Sequence, residues 1–553
     1  MSVSLAENSY VGESSLELHG DLIDFAGSSA RDSFVLFVGD FSSAAILAVS
    51  SIFIARFLGP ENYSVYSLSF VAPALVISFV GLGLDSAAIR FTAKYIAEGR
   101  KHYAIQFLKS ILAFRFATGV LASFISFILS DAFAGSLLDR PNLASYIRLL
   151  SMLVLFETLF SLLYGLFIGL NTTRYASIMK VLMATFKGAA APTLVLFGLD
   201  VYGALIGHML SYIIPSIMGL LILYLHHLKF LKMGDLAGQE GAKNVNNAKV
   251  GYLKETIKFC LPIYTSSLLS LLLGNYQAIL LARCSSDIEI GCFKAATNIS
   301  TILTVVSTPI ITALFPAFSR LNSHRLREEV GDLLHLSVKY SSLIIIPMAV
   351  LLACISNYLV DVVYGASYIL AGEYLALYSM IHVLIGLGSG IFISLFNGLG
   401  ETSLTLRVNI VNLAIFMAIA PPLVISYNVK GIIISLLISS LISTLYARDL
   451  AVKKLDINLR FTASAKIYAA SAVSAIPALI LIQFINLPSM ISLLLVLATY
   501  TITYLTLSPV LKAVNEVDLK NLERILGRIR LLKPVVDVLM GYETRIMGIF
   551  ASR

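Results

Sequence analysis

Six charged or titratable side chains, Asp40, Arg115, Glu157, Lys180, Lys187 and His208, fall inside strongly apolar runs, where an unpaired charge is costly and is turned inward. A cation held there suits an anionic group such as a phosphate, because Lys and Arg offer it charge-assisted hydrogen bonds. Lys180 and Lys187 are seven residues apart, so a helix puts them on one face, about 10 Å apart along its axis. Glu157 and Lys187 come at similar depth in neighbouring runs. Two readings follow: Arg115 and Lys187, with Lys180 below them, attract the phosphate while Glu157 and Asp40 neutralise them when nothing is bound, or Glu157 and Lys187 are a permanent buried pair. His208 is read either as a packed, hydrogen-bonded ring or as a proton-coupling group.

The second half of the chain differs. Apart from Lys294, its deep polar groups are neutral: Asn275, Gln277, Asn298, His382, Asn409 and Asn412. Amides suit an uncharged, hydroxyl-rich partner, so these six are read as a polar cavity and the halves as electrically unequal.

The elements that carry these residues are membrane helices. Hydrophobic residues are 58% of the 553 and charged residues 13%, with mean hydropathy +0.86, a composition that no polar-surfaced soluble protein has. Runs of about 20 apolar residues recur, and the ten-residue alternation of a barrel does not. Spans are expected at 34–58, 64–89, 104–129, 146–168, 175–197 and 201–225, then at 259–282, 291–315, 336–359, 375–396, 404–425 and 431–450, with a final pair at 463–485 and 489–511. The fold class is therefore all-α polytopic, about fourteen helices, as two six-helix lobes plus a pair.

The chain is divided into a cytoplasmic segment 1–33, an N-lobe 34–227, a lysine-bearing linker 228–258, a C-lobe 259–451, an extra helix pair 452–511 and a tail 512–553. Two lobes that rock about a central cavity would be joined at such a linker. Loop charge alternates with each crossing: Arg90, Lys94, Arg100 and Lys101 face Asp131 and Asp139 across the next span, and Arg448, Lys453 and Lys454 follow the same rule near the end. By the positive-inside rule both termini are cytoplasmic, in the cell membrane. Residues 1–33, with Glu7, Glu13 and Glu17, are not read as a cleavable leader. Leu519, Leu522, Ile525, Leu526, Ile529 and Leu532 mark an amphipathic helix that lies on the inner leaflet or packs on the protein's own loops.

Several short segments carry a resemblance. Ala55 to Ser67 (ARFLGPENYSVYS) is similar to the ARxLGPxxYGxYS segment of the oligosaccharide and O-antigen flippases of the multidrug/oligosaccharidyl-lipid/polysaccharide exporter superfamily. Gly81 to Phe91 is similar to their GLxxAxxRF, Gly291 to Ala296 to GYYxxA, Ala313 to Ser319 to ALFPxxS and Asn397 to Thr402 to NGxGxT. Two departures stand out: Gly274-Asn275-Tyr276-Gln277 where many relatives carry an acid, and Cys292 at a usual tyrosine. The resemblance implies two pseudo-symmetric lobes. It also implies translocation of a polyprenyl-linked oligosaccharide from the inner to the outer leaflet by alternating access. The partners expected are that lipid-linked oligosaccharide, the phospholipid bilayer and Na+ or H+ as a coupling ion, with the protein a monomer; the sequence leaves open whether Na+, H+ or the membrane potential drives transport.

The competing readings are a cation-coupled drug exporter of the same superfamily, expected to have twelve spans and an acidic cavity, and a membrane-embedded glycan-processing enzyme. The basic first half and the extra pair speak against the exporter. Against an enzyme, no cluster has acid–base or metal spacing. No glycine loop for phosphate is present, no cofactor or metal is implied, and the scattered basic residues do not describe a nucleic-acid surface.

Overall fold

A computed structural model describes residues 4–81, 83–228, 265, 268–323, 327–455, 462–484, 487–516, 518–519 and 541–543. These residues are helical almost throughout. In hydrocarbon a backbone amide or carbonyl finds no water, and a helix satisfies each within its own segment. In chain order the helices are α1 (Ser4–Ser69), α2 (Val71–Gly81), α3 (Leu84–Ala97), α4 (Lys101–Ile128), α5 (Ala144–Gly169), α6 (Thr173–Leu194) and α7 (Asp200–Ile222). After the linker come α8 (Leu268–Cys284), α9 (Asp287–Ser323), α10 (Arg327–Tyr364), α11 (Ile369–Val383), α12 (Ile391–Gly398), α13 (Thr402–Leu455), α14 (Thr462–Phe484) and α15 (Ser489–Val510). The linker beyond Leu228, the first residues expected in span seven and most of the tail lie outside the described residues.

Ten described stretches are long and apolar enough to cross a membrane. Three of them, of 63, 53 and 54 residues, are long enough for two crossings at about 20 residues each. Each of the three is broken by left-handed backbone, at Gly59 (φ 71°), at Gly198 and Asp200 (φ 84° and 42°) and at Asn428 (φ 48°). Outward faces carry Phe37, Phe41, Phe124, Phe197 and Phe484, all exposed, a surface made for acyl chains. Inside, hydroxyls bond back along their own helices, as Ser43 Oγ does to Gly39 O and Ser435 Oγ to Gly431 O, both at 2.7 Å.

The chain forms two compact units, Met1–Phe57 with Leu68–Leu271, and Leu58–Ser67 with Leu272–Arg553. The first packs Phe91, Phe107, Leu163, Phe167 and Met179 into one core. The second packs Phe318, Leu334, Ile346, Phe392, Phe396 and Ile467. Ile467 is on α14, and Tyr504 Oη of α15 donates to Leu343 O at 3.2 Å, so the extra pair is part of the second core.

Residues 58–67, part of the ARFLGPENYSVYS segment, are built into the second unit. Ser64 Oγ donates to Asp287 Oδ1 at 2.9 Å, and Asn298 Nδ2 donates to Tyr63 Oη at 2.6 Å. A Cβ on Gly291 would stand 1.9 Å from Pro60 O, so only glycine admits this segment. Cys284, Cys292 and Cys354 are free thiols.

Beyond α15 the described tail docks on the protein. Asn515 and Asp518 cap one another, and both Asp518 carboxylate oxygens accept from Lys339 Nζ of α10 at 2.6 and 2.7 Å. Further on, Ser508 Oγ donates to Glu543 Oε1 at 3.2 Å, and Thr506 and Tyr542 share a hydrogen bond of 2.8 Å. Apart from Leu519, which is buried in the second core, the expected amphipathic residues lie outside the described ones.

Two tests follow. Gly207 on α7 lies against Ala191 of α6, where a Cβ would come within 2.4 Å of the backbone. Gly207→Ala should cost about 1–3 kcal/mol of overpacking, read as a lower melting temperature in detergent; an unchanged value contradicts the close approach. Burial pushes the Glu543 carboxyl up from 4.5 to about 7, against the lowering effect of the Ser508 hydrogen bond. The folded state therefore favours the protonated acid, and this contribution, complete below pH 4.5, is lost as pH rises through about 7. Hydrogen exchange at 541–543 should accelerate between pH 4.5 and 7 beyond its intrinsic rise, and Glu543→Gln should remove that excess.

Candidate functional site

Span two is interrupted between α2 and α3, where Gly83 takes φ 68°. An interruption in hydrocarbon leaves carbonyls at the end of one half-helix without amides to accept from. Arg115 of α4 fills that gap. Its Nη1 donates to Val80 O and Gly81 O, both at 3.2 Å, its Nε to Thr158 O at 3.1 Å, and its Nη2 to Asp85 Oδ1 at 2.8 Å. Asp85 stands in the first turn of α3, and Ser161 Oγ of α5 donates to its other oxygen at 2.7 Å. The planar guanidinium thus ties both halves of the broken span to α4 and α5.

This corrects the expectation for Arg115. The side chain is 1% exposed and its fork is committed to protein, so it is not a cation held open for a ligand. Its counter-ion is Asp85, not Glu157 or Asp40. The signal was present in the sequence as Gly81-Leu82-Gly83 followed closely by an acid, a helix break with a charge beside it.

Asp40 also has a partner other than the expected ones. Its Oδ1 accepts from Lys180 Nζ at 2.7 Å and from Tyr164 Oη at 3.3 Å, and the ammonium lies 5.5 Å from the Tyr164 ring centre. Lys180 and Asp40 are half-exposed, so this is a partly wetted cation–carboxylate–phenol group rather than a sealed pair.

Two turns further along α6, Lys187 is half-buried, and so is Glu157 of α5. Each lies within the electrostatic reach of the other, yet no N···O contact of 4.0 Å or less joins them. The direct ion pair read from the sequence is therefore not formed. The Lys187 carbonyl accepts from Ser50 Oγ at 3.3 Å, while its ammonium has no close partner among the described residues. Beside this pair, the buried His208 ring packs on Phe70 and Tyr212, with centres 4.4 and 5.5 Å apart, and Tyr212 meets Phe160 edge-on. Glu157, Lys187, His208 and Tyr212 gather four titratable groups where α5, α6 and α7 meet.

The neutral residues of the second unit have separate partners where these are seen. Asn298 is spent on Tyr63, and His382 Nε2 shares a 3.3 Å hydrogen bond with Ser300 Oγ. Asn275 is buried and Gln277 half-buried on α8. Asn409 and Asn412 of α13 line one cavity, at the break between α11 and α12. Among the described residues no group of three or more His, Cys, Asp or Glu side chains is placed to hold a metal.

The chain as a whole is similar to known proteins. Residues 29–322 match the family described as polysaccharide biosynthesis protein, more than half of the chain. A relative from Haloferax volcanii, the probable low-salt glycan biosynthesis flippase Agl15, is 21% identical over 248 residues, 43% of this chain; the chain spans about half, 50%, of that relative's length. Among solved structures, the lipid II flippase MurJ in an inward closed conformation aligns with TM-score 0.65 and 14% identity over 86% of this chain and 98% of its own. An inward-facing multidrug transporter of the MATE family and MOP superfamily aligns with TM-score 0.64 and 15% identity over 75% of this chain and 94% of its own.

The two cations predict different phenotypes. Removing one partner of a buried pair leaves an uncompensated charge, at a cost of about 3–5 kcal/mol; with Asp85 part-exposed, the lower end applies. Arg115→Gln should lower the melting temperature and yield of purified protein, and Asp85→Asn should do the same. Lys187→Gln should melt within a few degrees of wild type. Equal stability of all three proteins would contradict the assignment of Arg115 to the broken span.

Proposed function

The chain belongs to the polysaccharide biosynthesis protein family, and on that premise we propose that it is a flippase carrying a polyprenyl-linked oligosaccharide from the inner to the outer leaflet by alternating access. The observation that carries this reading is Lys187, a cation deep in an apolar helix with no direct ion pair among the described residues, which a phosphate or pyrophosphate headgroup would complete. Lys180 stands two turns nearer the basic loop at Arg174, where an incoming headgroup can exchange with Asp40 for its ammonium. Glu157 balances Lys187 when no phosphate is present. Arg115 acts at a distance from the substrate, by holding the broken span in shape.

The orientation that goes with this reading has both termini and the linker on the cytoplasmic side, so Lys180 is met before Lys187 on the way outward. The protein moves its substrate without changing it, and Na+ or H+ supplies the drive, with the half-buried Glu157 and the adjacent His208 as the groups through which a coupled cation would act. The drug-exporter reading shares the fold. The name of the relative, glycan biosynthesis flippase, and the amide character of the second unit's deep groups favour the glycan over a cationic drug.

A charge-assisted hydrogen bond is worth about 1.5–3 kcal/mol, so Lys187→Gln should slow translocation by about 10- to 150-fold in proteoliposomes loaded with a lipid-linked glycan. Lys180→Gln should slow it less, since Asp40 already compensates that ammonium, and Lys187→Arg should retain most of the rate. Wild-type rates from a Lys180→Gln, Lys187→Gln double variant would contradict the proposal.

A further inference from the structure

In the second unit α9 carries a cation, Lys294, seven residues past its start at Asp287, or about 10 Å along the helix. The side chain is half-buried, and its ammonium makes no hydrogen bond or ion pair among the described residues. No carboxylate compensates it, because the two acids of its own helix are committed elsewhere. Asp287 Oδ1 accepts from Ser64 Oγ at 2.9 Å, and Glu289 accepts from Ser286 Oγ at 2.9 Å and from Asn428 Nδ2 at 3.2 Å. The ammonium is nevertheless not sealed in. The unpartnered polar atoms that have lost their accessible surface are others, Asn412 Oδ1 and Tyr364 Oη among them.

The rest of that helix face says what the ammonium meets. At about 100° per residue, Lys294 shares one face of α9 with Thr301, Thr304, Thr308 and Thr312, all four exposed, and Val305 is the one exposed apolar side chain described among them. Exposed isoleucines, Ile288 and Ile302, lie on the flank. Three of the threonines bond back to their own helix: Thr301 Oγ1 to Thr297 O at 3.1 Å, Thr304 Oγ1 to Thr301 O at 2.7 Å and Thr312 Oγ1 to Thr308 O at 2.9 Å. A threonine bonded in this way tolerates acyl chains, but an ammonium with no counter-ion does not. The face that carries both is therefore turned to water and to a polar ligand.

One ammonium without a carboxylate beside it is completed by one negative charge. A diphosphate brings more than one, and Lys180 and Lys187 already serve it. A sugar carboxylate brings one, and the compact point charge of a lysine takes it through a charge-assisted hydrogen bond. We propose that Lys294 is an oxyanion subsite that seats the carboxylate of an acidic sugar in the glycan. The inference rests on the flippase reading and deepens it by naming the substrate class, a lipid-linked oligosaccharide containing a uronic-acid residue.

The test uses three probes in proteoliposomes holding the full chain: one polyprenyl diphosphate bearing glucuronic acid, the same lipid bearing glucose, and the same lipid without sugar. The readout is the ratio of the glucuronyl to the glucosyl translocation rate, for protein matched by folded amount. Lys294→Gln should lower that ratio at least tenfold, and Lys294→Arg should hold it within about threefold of wild type. Lys294→Gln should also melt within a few degrees of wild type, since no partner is lost. An unchanged ratio in Lys294→Gln, whether the rates fall together or neither falls, overturns the subsite, and an equal fall for the sugarless lipid assigns the ammonium to the diphosphate instead. A wild-type protein that moves the glucosyl lipid but not the glucuronyl one overturns it as well. A wild-type protein that moves none of the three removes the flippase reading itself, and this inference with it.

Discussion

Hydrocarbon offers no hydrogen bonds, and the best-buried helix breaks and charges of this protein are arranged around that constraint. Where a helix runs on, many serines and threonines bond to their own turn, as Ser43, Ser435 and Thr444 do. At two helix breaks, one in each unit, a side chain from a neighbouring helix donates to the freed carbonyls: Arg115 at Val80 and Gly81, and Tyr468 at Val383. The two staples differ in kind. A guanidinium can serve several carbonyls and a carboxylate at once, so the first break is held electrostatically through Asp85. A single phenol serves one carbonyl, and the second break relies on glycine to let it approach.

Against that background the groups left without a close partner among the described residues gain meaning. The Lys187 ammonium and the Asn412 amide oxygen are such groups, one in each unit. One is a cation and the other a neutral acceptor. The first unit places Asp40 and Glu157 near its lysines, whereas the deep polar groups of the second are mainly amides.

Much of this was legible in the sequence. Apolar run length located α4 to α7, α10, α14 and α15 to within a few residues, except that α10 runs further at its start, because hydrocarbon thickness fixes helix length more firmly than side-chain preference does. Depth along a run put Lys187 and Glu157 beside one another. Partner choice was not legible: Arg115 was matched to carboxylates at like depth, whereas the break at Gly83 brings Asp85 to it, and left-handed backbone cannot be counted in hydropathy. Residues 58–67 show the same limit. They read as a loop and the start of a span, yet Gly291 and Asp287, more than two hundred residues on, give them their place.

The most direct measurement of the central claim is the leaflet distribution of the lipid-linked glycan in cells depleted of this protein, read with a membrane-impermeant reagent that attacks sugars. The account predicts that the glycan accumulates on the cytoplasmic leaflet and is restored to the outer one by the wild-type chain but not by Lys187→Gln. An outer-leaflet pool that stays constant through depletion would contradict it.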